Sequence, residues 1–277
     1  MPAHIRSSPL RFHVDIETDE ARITTATQTA EPEYGNWVST KLIYGSIAMS
    51  IPFFALSIVF PMFVVGAIPF LLSFAYFAYA RYMFSQRGGN IEAEIRNLVV
   101  ERLDWDGEGK ALDIGCGNAP LAIKLAKRHP NAHVTGIDYW GGMWEYSKAV
   151  CERNAEIEGV AGRVTFQKAS AAVLPFEDEY FDAAVSNLVF HEVGDVKDKR
   201  ELIREALRVV KKGGAFAFQD LFLLKRRFGD IDDLIAMIRN WGIKEVAFAD
   251  TSDSDFIPKA LRLPFMVGRI GIIYGKK

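Results

Sequence analysis

Ala111-Leu-Asp-Ile-Gly-Cys-Gly-Asn-Ala-Pro120 reads as a short strand running into a glycine turn and then a helix. Gly115 and Gly117 let the backbone turn without a Cβ penalty, and their bareness lets main-chain N–H groups approach a ligand at a helix N-terminus. The next strand, Val134-Thr-Gly-Ile-Asp138, ends on an acid about 20 residues past the turn, where a carboxylate accepts both hydroxyls of a ribose. Turn, strand and acid at this interval point to a ligand that carries a ribose.

From the turn onward strands and helices alternate. Strands are expected at 110–114, 133–138, 163–168, 181–187 and 215–221, and helices at 119–128, 142–158 and 198–210. Such alternation predicts an α/β, Rossmann-like, doubly wound and mostly parallel sheet with helices on both faces. Lys211-Lys-Gly-Gly214 reads as a helix stop, with cations in the last turn and glycine just past it. A helix at about 230–241 and strands at 245–248 and 269–274 complete the chain, the last two as a terminal antiparallel hairpin. Upstream, Asn90 stands where it would cap a helix with Ile91, Ile95, Leu98, Val99 and Leu103 at helical spacing.

The apolar residues are unevenly placed. Between Lys41 and Arg81 no charged residue occurs, a run about twice the ~20 residues of one bilayer crossing, with Pro61 at its middle. Residues 41–82 are therefore expected to form a helical hairpin in a membrane, kinked at Pro52 and Pro69 and flanked by Trp37, Tyr44, Tyr79 and Tyr82 at the interface. Spanning the bilayer and dipping into one leaflet both fit its length. Lys41, Arg81 and Arg87 put both ends, and with them the α/β domain, on the cytoplasmic side. The alternative is a soluble enzyme whose N-terminal helices cap the cleft or form a dimer core. Against it, Phe53, Phe54, Phe60, Phe63, Phe70, Phe74 and Phe77 fall all around the helices and not on one stripe. Residues 1–40 are polar and aperiodic and read as a flexible tail with order near Tyr34-Gly-Asn-Trp37.

A net charge of −2 over 277 residues, without a basic tract, argues against a nucleic-acid partner. The two cysteines, Cys116 and Cys151, indicate no disulfide framework. No metal site is expected.

Leu112-Asp-Ile-Gly-Cys-Gly117, Asp138, Leu174-Pro-Phe-Glu-Asp178 ahead of Phe181-Asp-Ala-Ala-Val-Ser-Asn187, and Leu207-Arg-Val-Val-Lys-Lys-Gly-Gly214 ahead of a strand resemble the class I S-adenosylmethionine-dependent methyltransferases over residues 88–277. The resemblance implies that Asp113 and the turn Gly115, Cys116 and Gly117 hold the methionine end of S-adenosylmethionine. It gives Asp138 the ribose, and Tyr139 or Trp140 a face of the adenine. Where the family usually has an acid near the adenine amino group, this chain has Lys168-Ala-Ser-Ala171, so Ser170 or a backbone group there, beside Ala171, takes that place. Ala119 stands where a third glycine is common. A dinucleotide dehydrogenase brings apolar residues to such a turn, whereas Asp113 would repel a pyrophosphate. No Lys-Ser or Lys-Thr follows, which excludes a P-loop.

Methyl transfer is an in-line displacement that needs alignment and, for a protonated acceptor, a base. Asn187 ends the fourth strand at the carboxyl edge of the sheet, and His191-Glu192 follows within a turn. His191 is the candidate base or acceptor-positioning group, with a purely structural histidine as the alternative, and Asn187 the candidate both for acceptor positioning and for a contact with the cofactor. The expectation is a membrane-tethered methyltransferase for a lipid or other hydrophobic small molecule. A methyltransferase for a soluble metabolite, with the hairpin as anchor only, and a non-catalytic membrane protein that binds the cofactor are the alternatives.

Overall fold

The computed structural model describes residues 31–141 and 146–277. Two long helices, α1 (Thr40–Ser57) and α2 (Val64–Phe84), are joined by a 3₁₀ turn at Pro61–Phe63 and lie against each other. Gly66 makes the approach possible, since a Cβ there would sit 2.3 Å from the Phe53 ring, and Ser46 and Ser73 share a hydrogen bond of 3.1 Å. Pro52 and Pro69 are accommodated inside the helices. Thr40–Ser57 and Pro61–Phe84 are long and apolar enough to cross a membrane by length and composition, and the rest of the chain covers little of either. Ile58 and Met62 at the turn are 85% and 77% exposed.

Helix α3 (Ile91–Arg102) leads into the sheet. Asn90 does not cap it: its backbone is left-handed (φ 53°) and its side chain makes no cap hydrogen bond. The remaining elements are β1 (Gly109–Ile114), α4 (Pro120–Arg128), β2 (Ala132–Asp138), α5 (Lys148–Ile157), β3 (Val164–Lys168), β4 (Phe181–Asn187), α6 (Arg200–Arg208), β5 (Val210–Asp220), α7 (Lys225–Phe228), α8 (Ile231–Asn240), β6 (Glu245–Asp250) and β7 (Gly271–Lys276). The seven strands are ordered β3-β2-β1-β4-β5-β7-β6, with β1 to β5 parallel and β7 antiparallel to both its neighbours. The alternation along each strand sorts side chains onto two faces. Leu112, Ile114, Phe216 and Phe218 meet Leu202, Ile203, Ala206 and Leu207 of α6, while Ala111, Val134, Ala183 and Val185 meet α3, α4 and α5.

Two further expectations are corrected, and the tail falls mostly outside the described residues. Helix α6 stops at Arg208, whose guanidinium is held by Glu205, Asp178 and the carbonyls of Leu174 and Phe176. Lys211-Lys-Gly-Gly214 then lies within β5: Val210 pairs with Phe181 and Ala215 with Ala183, and the residues between form an irregularity opposite Asp182, which binds Lys211 at 2.6 Å. Helix α5 begins at Lys148, capped by Ser147; the earlier start expected at 142 involves residues 142–145, outside the described ones. Of the expected flexible tail, residues 1–30 lie outside the described ones, but Glu33 to Val38 are tied down. The Glu33 amide donates to Asn154, the Tyr34 hydroxyl to Glu158 and the Trp37 amide to Glu92.

Candidate active site

The registers Ile114↔Ile137 and Ile114↔Ser186 bring the carboxyl ends of β1, β2 and β4 to one edge of the sheet. The crossover direction reverses between β1 and β4, the place where open α/β sheets bind ligands. A cleft of about 500 Å³ opens there, within the range of small-molecule sites.

One wall of the cleft is the turn. Its amides face inward: Gly115 and Cys116 both donate to the Ile137 carbonyl (2.8 and 2.9 Å), and Gly117 donates to Asp138 Oδ2 (2.9 Å). The expected amide donors at these three positions are thus spent on the fold. Gly115 (φ 72°) is required by its neighbour, since a Cβ would lie 2.2 Å from Val189. Ala119 adopts a left-handed φ of 67°, a conformation that costs an alanine about 1–2 kcal/mol. Pro120 at the first position of α4 needs no amide donor.

Asp113 is buried and accepts the Ala122 amide at 2.9 Å. Burial pushes its carboxyl up to about 7, against the pull of that hydrogen bond. Asp138 accepts from Gly117 and, through Oδ1, from Trp140 (2.8 Å), and burial raises its carboxyl too. Cys116 is buried and its thiol is pushed well above the usual range, primarily by burial. Tyr139 stands at the rim, 65% exposed, with Lys168 Nζ 5.0 Å over its ring. Trp140 is fixed by its indole N–H to the Gly117 carbonyl (2.9 Å). Ser170 and Ala171 line the same cleft, and Ser170 Oγ accepts the Ala172 amide at 3.2 Å.

The opposite wall contains Asn187 and His191. The Asn187 Oδ1 atom is buried without a hydrogen-bond partner, a rare arrangement that a water, an ion or a bound ligand would satisfy. His191 Nδ1 lies 2.7 Å from Asp220 Oδ1 at the end of β5, and Asp220 is fully buried. Burial depresses the imidazole, but the carboxylates of Asp220 and, more weakly, Glu192 outweigh it and hold His191 above its ordinary value. With Nδ1–H donated to Asp220, Nε2 is the proton acceptor. Glu192 is half exposed at 3.8 Å from that nitrogen. Asp220 is not singled out by the sequence, nor is the buried Glu92–Arg96 pair (3.3 Å), whose arginine lines the cleft beneath Trp37.

A family profile described as a methyltransferase domain matches residues 112–218. An O-methyltransferase of Aspergillus nomiae, rstn1, is 30% identical over 189 residues, covering 61% of this chain and 80% of that protein. The chain belongs to the S-adenosylmethionine-dependent methyltransferases. The Ubiquinone/menaquinone biosynthesis C-methyltransferase UbiE of Geotalea daltonii is 30% identical over 137 residues, 48% of this methyltransferase and 55% of that relative. In fold the methyltransferase is similar to the geranyl diphosphate C-methyltransferase from Streptomyces coelicolor, solved with Mg2+, geranyl diphosphate and S-adenosyl-L-homocysteine (TM-score 0.53, 13% identity, 68% and 79% coverage). The methyltransferase uses S-adenosylmethionine, and the cleft fits it: a polar wall with two carboxylates, an aromatic rim, and an unpartnered amide oxygen.

Proposed function

We propose that this methyltransferase is tethered to a membrane by α1 and α2, with its catalytic domain on the cytoplasmic side, and methylates a lipid or other hydrophobic small molecule resident in the bilayer. The observation that carries the reading is continuity: Phe84, the last residue of α2, and Trp37, just before α1, line the same cleft as Asp138 and His191. An uncovered pair of apolar helices would expose more contiguous apolar surface than soluble proteins tolerate, and tethering raises the local concentration of a bilayer acceptor without any new contact.

Bound at the turn, S-adenosylmethionine supplies a methyl group on a sulfonium. Asp138 takes the ribose hydroxyls, Asp113 and the turn the methionine end, Tyr139 an adenine face and the Ser170–Ala171 segment its edge. An electron pair of the acceptor would form the new bond to the methyl carbon as the bond from that carbon to the sulfonium breaks towards sulfur, leaving the neutral thioether S-adenosylhomocysteine, while the acceptor's proton goes to His191 Nε2. Asp220 fixes the tautomer and stabilises the imidazolium. Asn187 Oδ1 gains its missing partner from the bound molecules. The relatives named as O- and C-methyltransferases support a base, because hydroxyl and activated-carbon acceptors both give up a proton.

Surface dilution tests the proposal. Full-length protein and a total membrane lipid extract are reconstituted together, and phosphatidylcholine is added at constant extract. The rate of methyl transfer should fall in proportion to the mole fraction of extract. A rate that depends only on a water-soluble extract refutes the bilayer acceptor.

A further inference from the structure

The segment from Leu261 to Val267 is anchored at both ends and apolar at its tip. Leu261 and Val267 are buried, and Arg262 is pinned by Asp253 Oδ1 (3.0 Å) and by the carbonyls of Ile257 and Ser254 (3.0 and 3.2 Å). Between these anchors Leu263 and Phe265 point outward, 36% and 66% exposed. A loop held this firmly has no reason to show a phenylalanine to water, and Lys259 and Arg269, both exposed, flank it.

The tip is not isolated from the helices. The Phe265 ring stands edge-on to Tyr76 of α2 (centroids 6.1 Å apart), and the Tyr76 hydroxyl donates to the Ala260 carbonyl at 3.1 Å. Tyr76 precedes Arg81 by five residues, about 7–8 Å along a helix at 1.5 Å per residue. With Arg81 at headgroup level, Phe265 reaches the depth of roughly 5–10 Å at which apolar faces of interfacial segments lie. The same phenylalanine, with Met266 and Val267, lines the cleft that holds Asn187 and His191.

We propose that the Leu261–Val267 loop is a second membrane contact, inserted at the acyl boundary beside α2, and that the mouth of the cleft beside Phe265 and Met266 is the doorway through which an acyl or similar hydrocarbon chain passes from the bilayer into the cleft. The occupant is the hydrocarbon tail of a bilayer lipid. Its polar head reaches His191 while its tail stays against Phe265 and Met266. Lys259 and Arg269 meet anionic headgroups around the tip. The proposal rests on the membrane-tethered reading and adds a route to it.

Cys116 and Cys151 are the chain's only cysteines and both are buried, so a cysteine introduced at the surface takes a fluorophore selectively. Full-length Phe265→Cys, Met266→Cys and Lys212→Cys are labelled with an environment-sensitive dye and reconstituted in phosphatidylcholine–phosphatidylglycerol vesicles. Lys212 lies at the opposite edge of the sheet and is exposed. Lipids carrying a nitroxide at acyl carbon 5 should quench the labels at 265 and 266 several-fold more than the label at 212. Aqueous iodide should show the reverse order. If the protein floats with the vesicles while the label at 265 behaves like that at 212, the doorway is wrong and the tether stands. If it does not float, both fail.

Discussion

The two walls of the cleft are built on opposite physical plans. The cofactor wall is polar and local: Asp113, the turn and Asp138 lie within 26 residues of one another, and every carboxylate oxygen in it that bonds a backbone amide also shapes the backbone. The acceptor wall is gathered from far apart, from Trp37, Phe84, Asn187, His191, Asp220 and Phe265, and mixes aromatic side chains with the His191–Asp220 dyad, Glu192, Arg96 and one unpartnered amide oxygen. A wall whose polar groups are already committed to the fold can be rigid and shared by many proteins. A wall assembled from chain ends and late loops can change without disturbing the sheet.

The comparison breaks first at His191. His191→Ala should lower turnover by roughly 10²–10⁴-fold, the scale of a lost general base, with cofactor affinity nearly unchanged. Parallel loss of thermal stability and cofactor affinity would make the histidine structural. On the other wall, Asp138→Ala should weaken S-adenosylmethionine binding by about 1–3 kcal/mol in calorimetry, the scale of charged hydrogen bonds. Because Asp138 also holds the Gly117 and Trp140 amides, this variant should lose cofactor affinity and thermal stability together, whereas His191→Ala, which takes the ring partner from the buried Asp220, should lose stability without losing cofactor affinity.

Asp220→Asn sharpens the dyad. The carboxylate holds His191 above its ordinary value, so in the parent enzyme the acid limb of the rate profile, below which Nε2 is protonated, should be displaced to higher pH than that of a free imidazole. Removing the charge should move that limb to lower pH while turnover falls. The linkage has the same sign: a raised imidazole stabilises the fold below its unfolded value, and this contribution is lost as pH rises through the folded one. Denaturant midpoints of parent and variant should therefore converge towards alkaline pH. A limb that stays in place would show that another group titrates. The smallest effect is expected at Ala119, whose left-handed backbone favours glycine; Ala119→Gly should leave turnover intact and change stability by no more than about 1 kcal/mol in the favourable direction.

How legible each wall is in the sequence follows from its construction. The glycine turn, Asp138 and the alternation of strands and helices are local patterns, and the sheet places them together. The role of the turn's amides is not legible, because it depends on the Ile137 carbonyl one strand away. Asp220 reads as any acid at a strand end; only the pairing of β4 with β5 brings it to His191, 29 residues earlier. Glu92 and Arg96 look like an exposed i,i+4 pair on α3 until Trp37 folds over them. The segment at Glu33 is polar and aperiodic, yet its partner Asn154 lies 121 residues away. The irregular course of β5 through Lys211-Lys-Gly-Gly214 is set by Asp182 on the neighbouring strand.

A methyl group that ends on a molecule taken from the bilayer can be followed by its own isotope label. Full-length protein in vesicles is given S-adenosylmethionine carrying an isotopically labelled methyl group, together with a membrane extract and an aqueous metabolite extract from the same cells. After phase separation, mass spectrometry should find the label in organic-phase products that are lost in the His191→Ala enzyme. Label confined to aqueous products, with the organic phase unlabelled, would contradict the account.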